Sequence, residues 1–162
     1  MSETLTQERL KELISYDPET GVFIWVAGAI KKGRAAGWVE NGYVKITING
    51  KNYKAHRLAW LWEKGAFPSS EIDHKNGIRA DNRIENLREC SRQENQWNTS
   101  AYKNNKTGFK GVSEQQSGWR ATIRIGGKQV YLGEFASAIE AGKAYEAKAR
   151  ELHGEFYREV SL

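Results

Sequence analysis

The stretch IDHKNGIRADNRIENLRECSRQENQWN, residues 72–98, decides how the rest of the chain is read. Ile72-Asp73-His74 predicts a short strand that ends in a Lys75-Asn76-Gly77 turn. Ser91 with Glu94 three residues later is a capping-box pattern, so a helix starts there and carries Asn95 in its first turns. Between strand and helix lies a loop holding Asn82, Arg83 and Asn86. The segment thus offers a strand carboxylate (Asp73), an imidazole beside it (His74), a loop amide (Asn86) and a helix amide (Asn95). Successive side chains of a regular strand point to opposite faces, which would separate Asp73 from His74. Both serve one site only if the strand ends or twists there, as Asn76-Gly77 permits.

Hydrolysis of a phosphodiester needs three things that these side chains supply. A hard divalent cation takes oxygen ligands, and Mg²⁺ typically keeps most of its waters and binds one or two protein groups. Asp73 and Asn95 suit that sparse coordination. A general base must deprotonate the attacking water, and an imidazole such as His74 titrates in the right range. The base must also be oriented, and the side-chain carbonyl of Asn86 can hold its ring N–H. Singly, each residue has an ordinary reading as a turn or surface group, and Asn-rich loops are usually turns.

Outward from this segment, residues 4–15 read as an amphipathic helix with Leu5, Leu10, Leu13 and Ile14 on its apolar positions. Asp17-Pro18 and Gly21 mark a turn into the apolar run Val22 to Trp25, and residues 31–37 form a basic Gly/Ala-rich loop. GYVKITINGKNYKAH (42–56) predicts a hairpin about Asn49-Gly50, with Val44, Ile46 and Ile48 on one face. HRLAWLWEKG (56–65) follows as a short helix. After a turn-rich linker, KGVSEQQ, WRATIRI and KQVYLGEF read as three strands, and a last helix runs from about Ser137 to Leu152.

The chain has 162 residues and a formal net charge of +5. All of that excess is found over residues 101–132, where Lys103, Lys106, Lys110, Arg120, Arg124 and Lys128 face one acid, Glu114. A basic stretch interleaved with Tyr102, Phe109, Trp119 and Tyr131 is the footprint of a phosphate-backbone binder or, more plainly, a solvated basic face. Strand alternation groups Arg120, Thr122 and Arg124 with Gln129 and Tyr131 on the outer face. A sheet with that face can enter the major groove of DNA. The single cysteine, Cys90, excludes an internal disulfide framework, and no apolar run reaches the roughly 20 residues of a membrane helix. The polar N-terminus lacks a signal-peptide pattern.

Residues 53–98, from AHRLAW through DHKNG and DNRIENLR to RQEN, resemble the HNH endonucleases, specifically the phage and intron homing branch with a ββα-metal active site. The resemblance implies Asp73 and Asn95 as ligands of one magnesium or manganese ion, His74 as general base, and Asn86 as the residue orienting it. His56 and Arg57 fall in the upstream motif, where support or phosphate contact stands beside core packing and surface charge. Residues 107–154 resemble the plant-type Apetala/ethylene-response-factor DNA-binding domain in the basic residue before Gly111-Val112, the W-x-A-x-I-R strand, the Y-L-G-x-F turn and the A-x-E-A-x-x-A-Y helix. That family reads DNA with its sheet, and Lys110, Trp119 and Arg124 fall on its contact or core positions. Basic positions of the plant domains around Ser113 and Gln115 are neutral here, and their Arg-x-Trp pair is Gln129-x-Tyr131, so the plant sequence preference does not transfer.

The expected fold is α+β: an HNH module at 1–98 (core 53–98), a linker at 99–107, and a three-stranded antiparallel sheet on one helix at 108–162. The expected function is metal-dependent cleavage of double-stranded DNA, with Arg57, Lys110, Arg120, Thr122, Arg124, Gln129 and Tyr131 as DNA contacts. The alternative is a non-catalytic DNA-binding regulator on a degenerate HNH scaffold. A monomer in the cytoplasm of a bacterial or phage-infected cell completes the expectation.

Overall fold

The computed structural model describes residues 5–28, 31–98, 105 and 107–157. The chain divides into two compact units, Met1–Asn95 and Gln96–Leu162. Apart from Asn105 and Thr107, the expected linker lies outside the described residues, as do Tyr102, Lys103 and Lys106.

In the first unit, helix α1 (Gln7–Leu13) starts at Thr6, whose side chain accepts a hydrogen bond from the Arg9 N–H at 3.2 Å. It is shorter than the expected span of 4–15. Ile14 is already extended (φ −139°, ψ 152°) and opens β1 (Ile14–Tyr16), because its backbone pairs with Trp25 of β2 (Phe23–Trp25). Strands β3 (Trp38–Glu40), β4 (Tyr43–Ile48) and β5 (Lys51–Lys54) form a second antiparallel sheet in that order. Asn49 and Gly50 both take positive φ, 49° and 76°, as a two-residue hairpin turn of the right twist requires. Helix α2 (Ala55–Lys64) follows and stops at Gly65, which adopts the left-handed conformation and donates its N–H to the Leu61 carbonyl.

Leu10, Ile14, Ile46, Leu58 and Leu61, from α1, β1, β4 and α2, are the large side chains fully withdrawn from water. Each contributes roughly 1.5–3 kcal/mol of transfer free energy. On this core rests the antiparallel ribbon of β6 (Glu71–His74) and β7 (Leu87–Cys90), followed by α3 (Arg92–Trp97). The capping box forms as its sequence predicts: Ser91 N–H donates to Glu94 Oε2 at 2.7 Å, and Glu94 N–H to Ser91 Oγ at 3.2 Å.

In the second unit, β8 (Val112–Gln115), β9 (Gly118–Ile125) and β10 (Lys128–Phe135) form an antiparallel sheet ordered β10-β9-β8. Helix α4 (Ala138–His153), capped by Ser137, packs against it. Gly142 leaves room on that helix for the Phe109 ring, from which a Cβ would stand 2.3 Å. A bulge in β10 between Tyr131 and Gly133 shifts the register against β9.

Two hydrogen bonds and a close backbone approach tie the N-terminal strands to the segment that opened the sequence reading. Tyr16 donates its hydroxyl hydrogen to the Asn82 carbonyl at 2.7 Å, and Ile84 N–H donates to Pro18 O at 3.2 Å. Gly21, at φ 72°, lies so close that a Cβ there would stand 2.5 Å from Arg83 N and 2.6 Å from Asn82 C. Backbone cannot yield as a flexible side chain would. Gly21→Ala is expected to destabilise the first unit by more than the ~1–2 kcal/mol of left-handed strain alone, read as a lowered urea midpoint of the full chain. A Gly28→Ala control, where the added Cβ meets nothing within 4 Å, isolates the strain.

Candidate active site

Strand β6 supplies three polar side chains in four residues, and its alternation sorts them. Glu71 and Asp73 share one face. Asp73, buried at 4% exposure, stands opposite Arg88 of β7, whose Nε and Nη2 donate to Asp73 Oδ2 at 2.8 and 2.6 Å. Glu71 reaches α3, where its Oε2 accepts from Asn95 Nδ2 at 2.6 Å. That bond turns the Asn95 carbonyl oxygen into the atom suited to a cation.

His74 lies on the other face, opposite Leu87, and is also buried. Its ring meets that of His56 edge to face, with centroids 4.9 Å apart, and that of Tyr43 at 6.1 Å. The alternation therefore holds between neighbours, and the strand ends right after His74 in a turn closed by Gly77 N–H to His74 O at 2.7 Å. Burial, the largest influence, pushes the His74 pKa below its ordinary value, and Arg79 adds to this. The Asn82 side chain, Asp73 and Asp81 pull the other way. The ring is accordingly neutral at pH 7, the form a general base must have.

Asn86, expected to orient His74, has its amide engaged in the turn after β6. Its Oδ1 accepts from Asn76 N–H at 3.0 Å and its Nδ2 donates to Asp81 O at 2.8 Å. The buried amide thus braces the turn after β6 from within, while the buried Asn82 gives its Nδ2 hydrogen to Ala80 O at 3.0 Å and works against burial on the His74 pKa. Around them, Arg83 grips Asp81 at 2.7 and 2.9 Å and holds that carboxyl down to about 2. Sequence reasoning missed Glu71 and Arg88. The available signal was the spacing of Glu71 two residues before Asp73, on the same face.

His56 is core. It is buried on α2 with no hydrogen-bond partner at Nδ1, and burial, followed by neighbouring His74, Lys54 and Arg57, drives its pKa down to about 3. Arg57 does not extend into solvent as a DNA contact would. Its guanidinium donates to Ser70 O and Pro68 O, both at 3.3 Å, and fastens the approach to β6.

On the second unit, Arg120, Thr122 and Arg124 share a face, and Gln129 and Tyr131 stand across from Arg124 and Thr122. Tyr131 is 59% exposed, and Gln129 Nε2 donates to Thr122 Oγ1 at 3.0 Å. The face also holds an acid. The bulge brings Glu134 opposite Arg120, and the two pair at 3.1 Å, whereas strict alternation from Tyr131 would send Glu134 to the other face. Lys110 precedes β8. Its Nζ donates to Trp97 O at 3.1 Å and Gln96 O at 3.5 Å.

Residues 53–97 match the family described as HNH endonuclease. Protein 3.8 of Escherichia phage T7 is 34% identical over 112 residues, covering 65% of this chain and 92% of the phage protein. The chain belongs to the family of that phage protein and carries an HNH endonuclease domain. No solved structure matches it. Neither match is to an Apetala/ethylene-response-factor domain. HNH domains are nuclease domains that act on DNA, typically with a divalent metal. Asp73 and Asn95 offer the hard oxygens such an ion takes and Glu71 adds a carboxylate on the same face, while the Arg88 cation already rests on Asp73 and, among the described residues, no three of His, Cys, Asp and Glu are grouped to hold a metal. Among the described residues no helix is long and apolar enough to cross a membrane.

The HNH domain's buried histidines make its stability depend on pH. Below about 6.5 the unfolded chain protonates His56, while the folded chain resists down to about 3. The unfolded state then binds more protons, so stability falls on acidification, by up to ~1.4 kcal/mol per pH unit for such a histidine. Urea midpoints of the full chain should drop between pH 7 and pH 4. His56→Gln should flatten that dependence.

Proposed function

We propose that the chain is a divalent-metal-dependent DNA endonuclease of the homing type, hydrolysing phosphodiester bonds in double-stranded DNA. What carries this reading is strand β6. One face of it holds Asp73 and, through Glu71, Asn95, and its last residue, directed to the opposite face where the strand ends, is a buried, neutral imidazole.

In this reading Asp73 and Asn95 hold one magnesium or manganese ion, which when bound neutralises charge on the phosphate and the leaving oxygen. His74 accepts the proton of the attacking water. The Asn82 side chain steadies the resulting imidazolium, and Asp73 and Asp81 favour its charge. Arg88 holds the Asp73 carboxylate in place through two hydrogen bonds to one oxygen. Asn86 keeps the turn after the base in shape. Residues 1–98 form the nuclease module, and 108–162 supply affinity and target choice through Arg120, Thr122, Arg124, Gln129 and Tyr131, as the Apetala/ethylene-response-factor resemblance suggests. The division suits the physics, since phosphate contacts and metal chemistry are sequence-neutral and something else must read bases. The protein works as a monomer in the cytoplasm of a bacterial or phage-infected cell.

The second reading, a non-catalytic DNA-binding regulator, has one observation in its favour: Arg88 already neutralises the carboxylate that the metal needs. Plasmid cleavage separates the two. Wild type should nick or cut supercoiled DNA with Mg²⁺ or Mn²⁺ and not with EDTA. His74→Ala should lower the rate by roughly 10²–10⁴-fold, the worth of a positioned base, and still bind duplex. Equal inactivity of both proteins across metals and on phage genomic DNA would favour the regulator.

The C-terminal face has its own test. Arg124→Gln should weaken duplex binding and reduce the log–log salt slope by about 0.9 if it touches a phosphate. Arg120→Gln should do less, because Glu134 already pairs with Arg120.

A further inference from the structure

Beyond the catalytic residues, three segments of the first unit converge on one aromatic ring. Tyr43 opens β4 after a turn in which Asn41 and Gly42 both take positive φ. Lys54 ends β5 and immediately precedes α2, and its Nζ lies 4.3 Å from the centre of the Tyr43 ring. Arg79 comes from the loop after the DHKNG turn. Its guanidinium carbon lies 5.0 Å from the same ring centre, and its Nη1 donates to Asn41 O at 3.5 Å. The ring they share also touches His56 at 5.5 Å and His74 at 6.1 Å.

Folding stability alone does not explain this arrangement. Several acids of the unit have other partners: Glu40 pairs with Lys45, Asp73 with Arg88, and Asp81 and Glu85 with Arg83. Lys54 and Arg79 are both exposed and have no carboxylate partner among the described residues. Lys54 also occupies the N-cap of α2, where Ser, Thr, Asp or Asn would satisfy a backbone N–H and a cation opposes the helix dipole. Its side chain makes no capping bond, and no acid stands in the first turn. The Tyr43 ring offsets part of that cost, and positions that break a local stability rule are expected at functional or strained sites.

We propose that Lys54 and Arg79, set against the Tyr43 ring, grip the phosphodiester backbone of the DNA strand being cut, on the flank of His74. This rests on the nuclease reading above and adds to it the residues that seat the substrate. Two like charges are held near one ring rather than ion-paired, so Lys54 Nζ and the Arg79 donors other than the Nη1 hydrogen given to Asn41 O can meet phosphate oxygens. The ring limits their rotamers, which lowers the entropy lost on contact. Because the ring also packs on His74, a phosphate bound there lies within reach of the base's neighbourhood. The contacts are to backbone, so they carry no base preference.

The test uses the full chain and a fluorescent 40-bp mixed-sequence duplex, with binding followed by anisotropy in EDTA over a salt series. Lys54→Gln and Arg79→Gln should each lower the log–log salt slope by about 0.9 and weaken binding by up to about eightfold at 0.1 M salt, the value that slope gives. The double variant should lose about twice the slope. Tyr43→Phe, which keeps the ring, should bind as wild type. Thermal unfolding checks that each variant is folded. Folded single and double variants with wild-type slope and affinity would overturn the proposal and leave the cations as surface decoration of the ring. Plasmid nicking with Mg²⁺ on the same proteins separates the two readings. Reduced slopes in a wild-type background that never nicks would sink the nuclease and keep the backbone grip. Nicking with unchanged slopes would do the reverse, and a wild type that binds no duplex would overturn both.

Discussion

A buried ion pair organises this site. The side chains of Asp73 and Arg88 are 5% and 10% exposed, and each charge stands against the other. Breaking such a pair typically costs about 3–5 kcal/mol, so the β6–β7 register that sets Asp73 opposite Arg88 is strongly enforced. Given that register, Glu71 must stand on the Asp73 face, where it meets Asn95, and His74 must point to the other face, where it meets His56 and Tyr43. One electrostatic constraint thus distributes the candidate ligands and the candidate base.

An isolated two-stranded ribbon is marginal in water, and this one is buttressed. From below, α1, β1, β4 and α2 provide the apolar floor. From the side, Tyr16 and Gly21 press the N-terminal strands onto the Asn82–Arg83 backbone. Inside the turn, Asn86, Asn76 and Asp81 close a ring of hydrogen bonds that leaves His74 at the end of its strand. The support explains why a loop so rich in Asn and Asp is buried at Asn82 and Asn86 rather than solvated.

Much of this was legible in local pattern. The capping box at Ser91–Glu94, the Asn49-Gly50 hairpin, the Gly65 stop and the three C-terminal strands all follow from short-range chemistry, and each forms where that chemistry placed it. Misreadings arose where a distant partner decided. Helical spacing carried α1 through Ile14, but pairing with Trp25 took that residue into a strand. Asn86 had the right residue type to orient an imidazole, yet the turn's unpaired backbone groups claimed its amide first. A bulge in β10, which no alternation rule contains, turned Glu134 toward Arg120.

By itself the sequence determined which residue types are within a short reach of one another: carboxylate beside imidazole, a capped helix carrying an amide, a basic strand with alternating faces. These depend on backbone periodicity and turn chemistry, which act over a few residues. Only the tertiary structure decided what each group does next. Arg57 and Lys110, both read as DNA contacts, are tied to backbone carbonyls. Glu71 and Arg88, unremarked in sequence, hold Asn95 and Asp73. The physical reason is that a buried charge or polar group must find a partner, and that partner is chosen by packing across the fold.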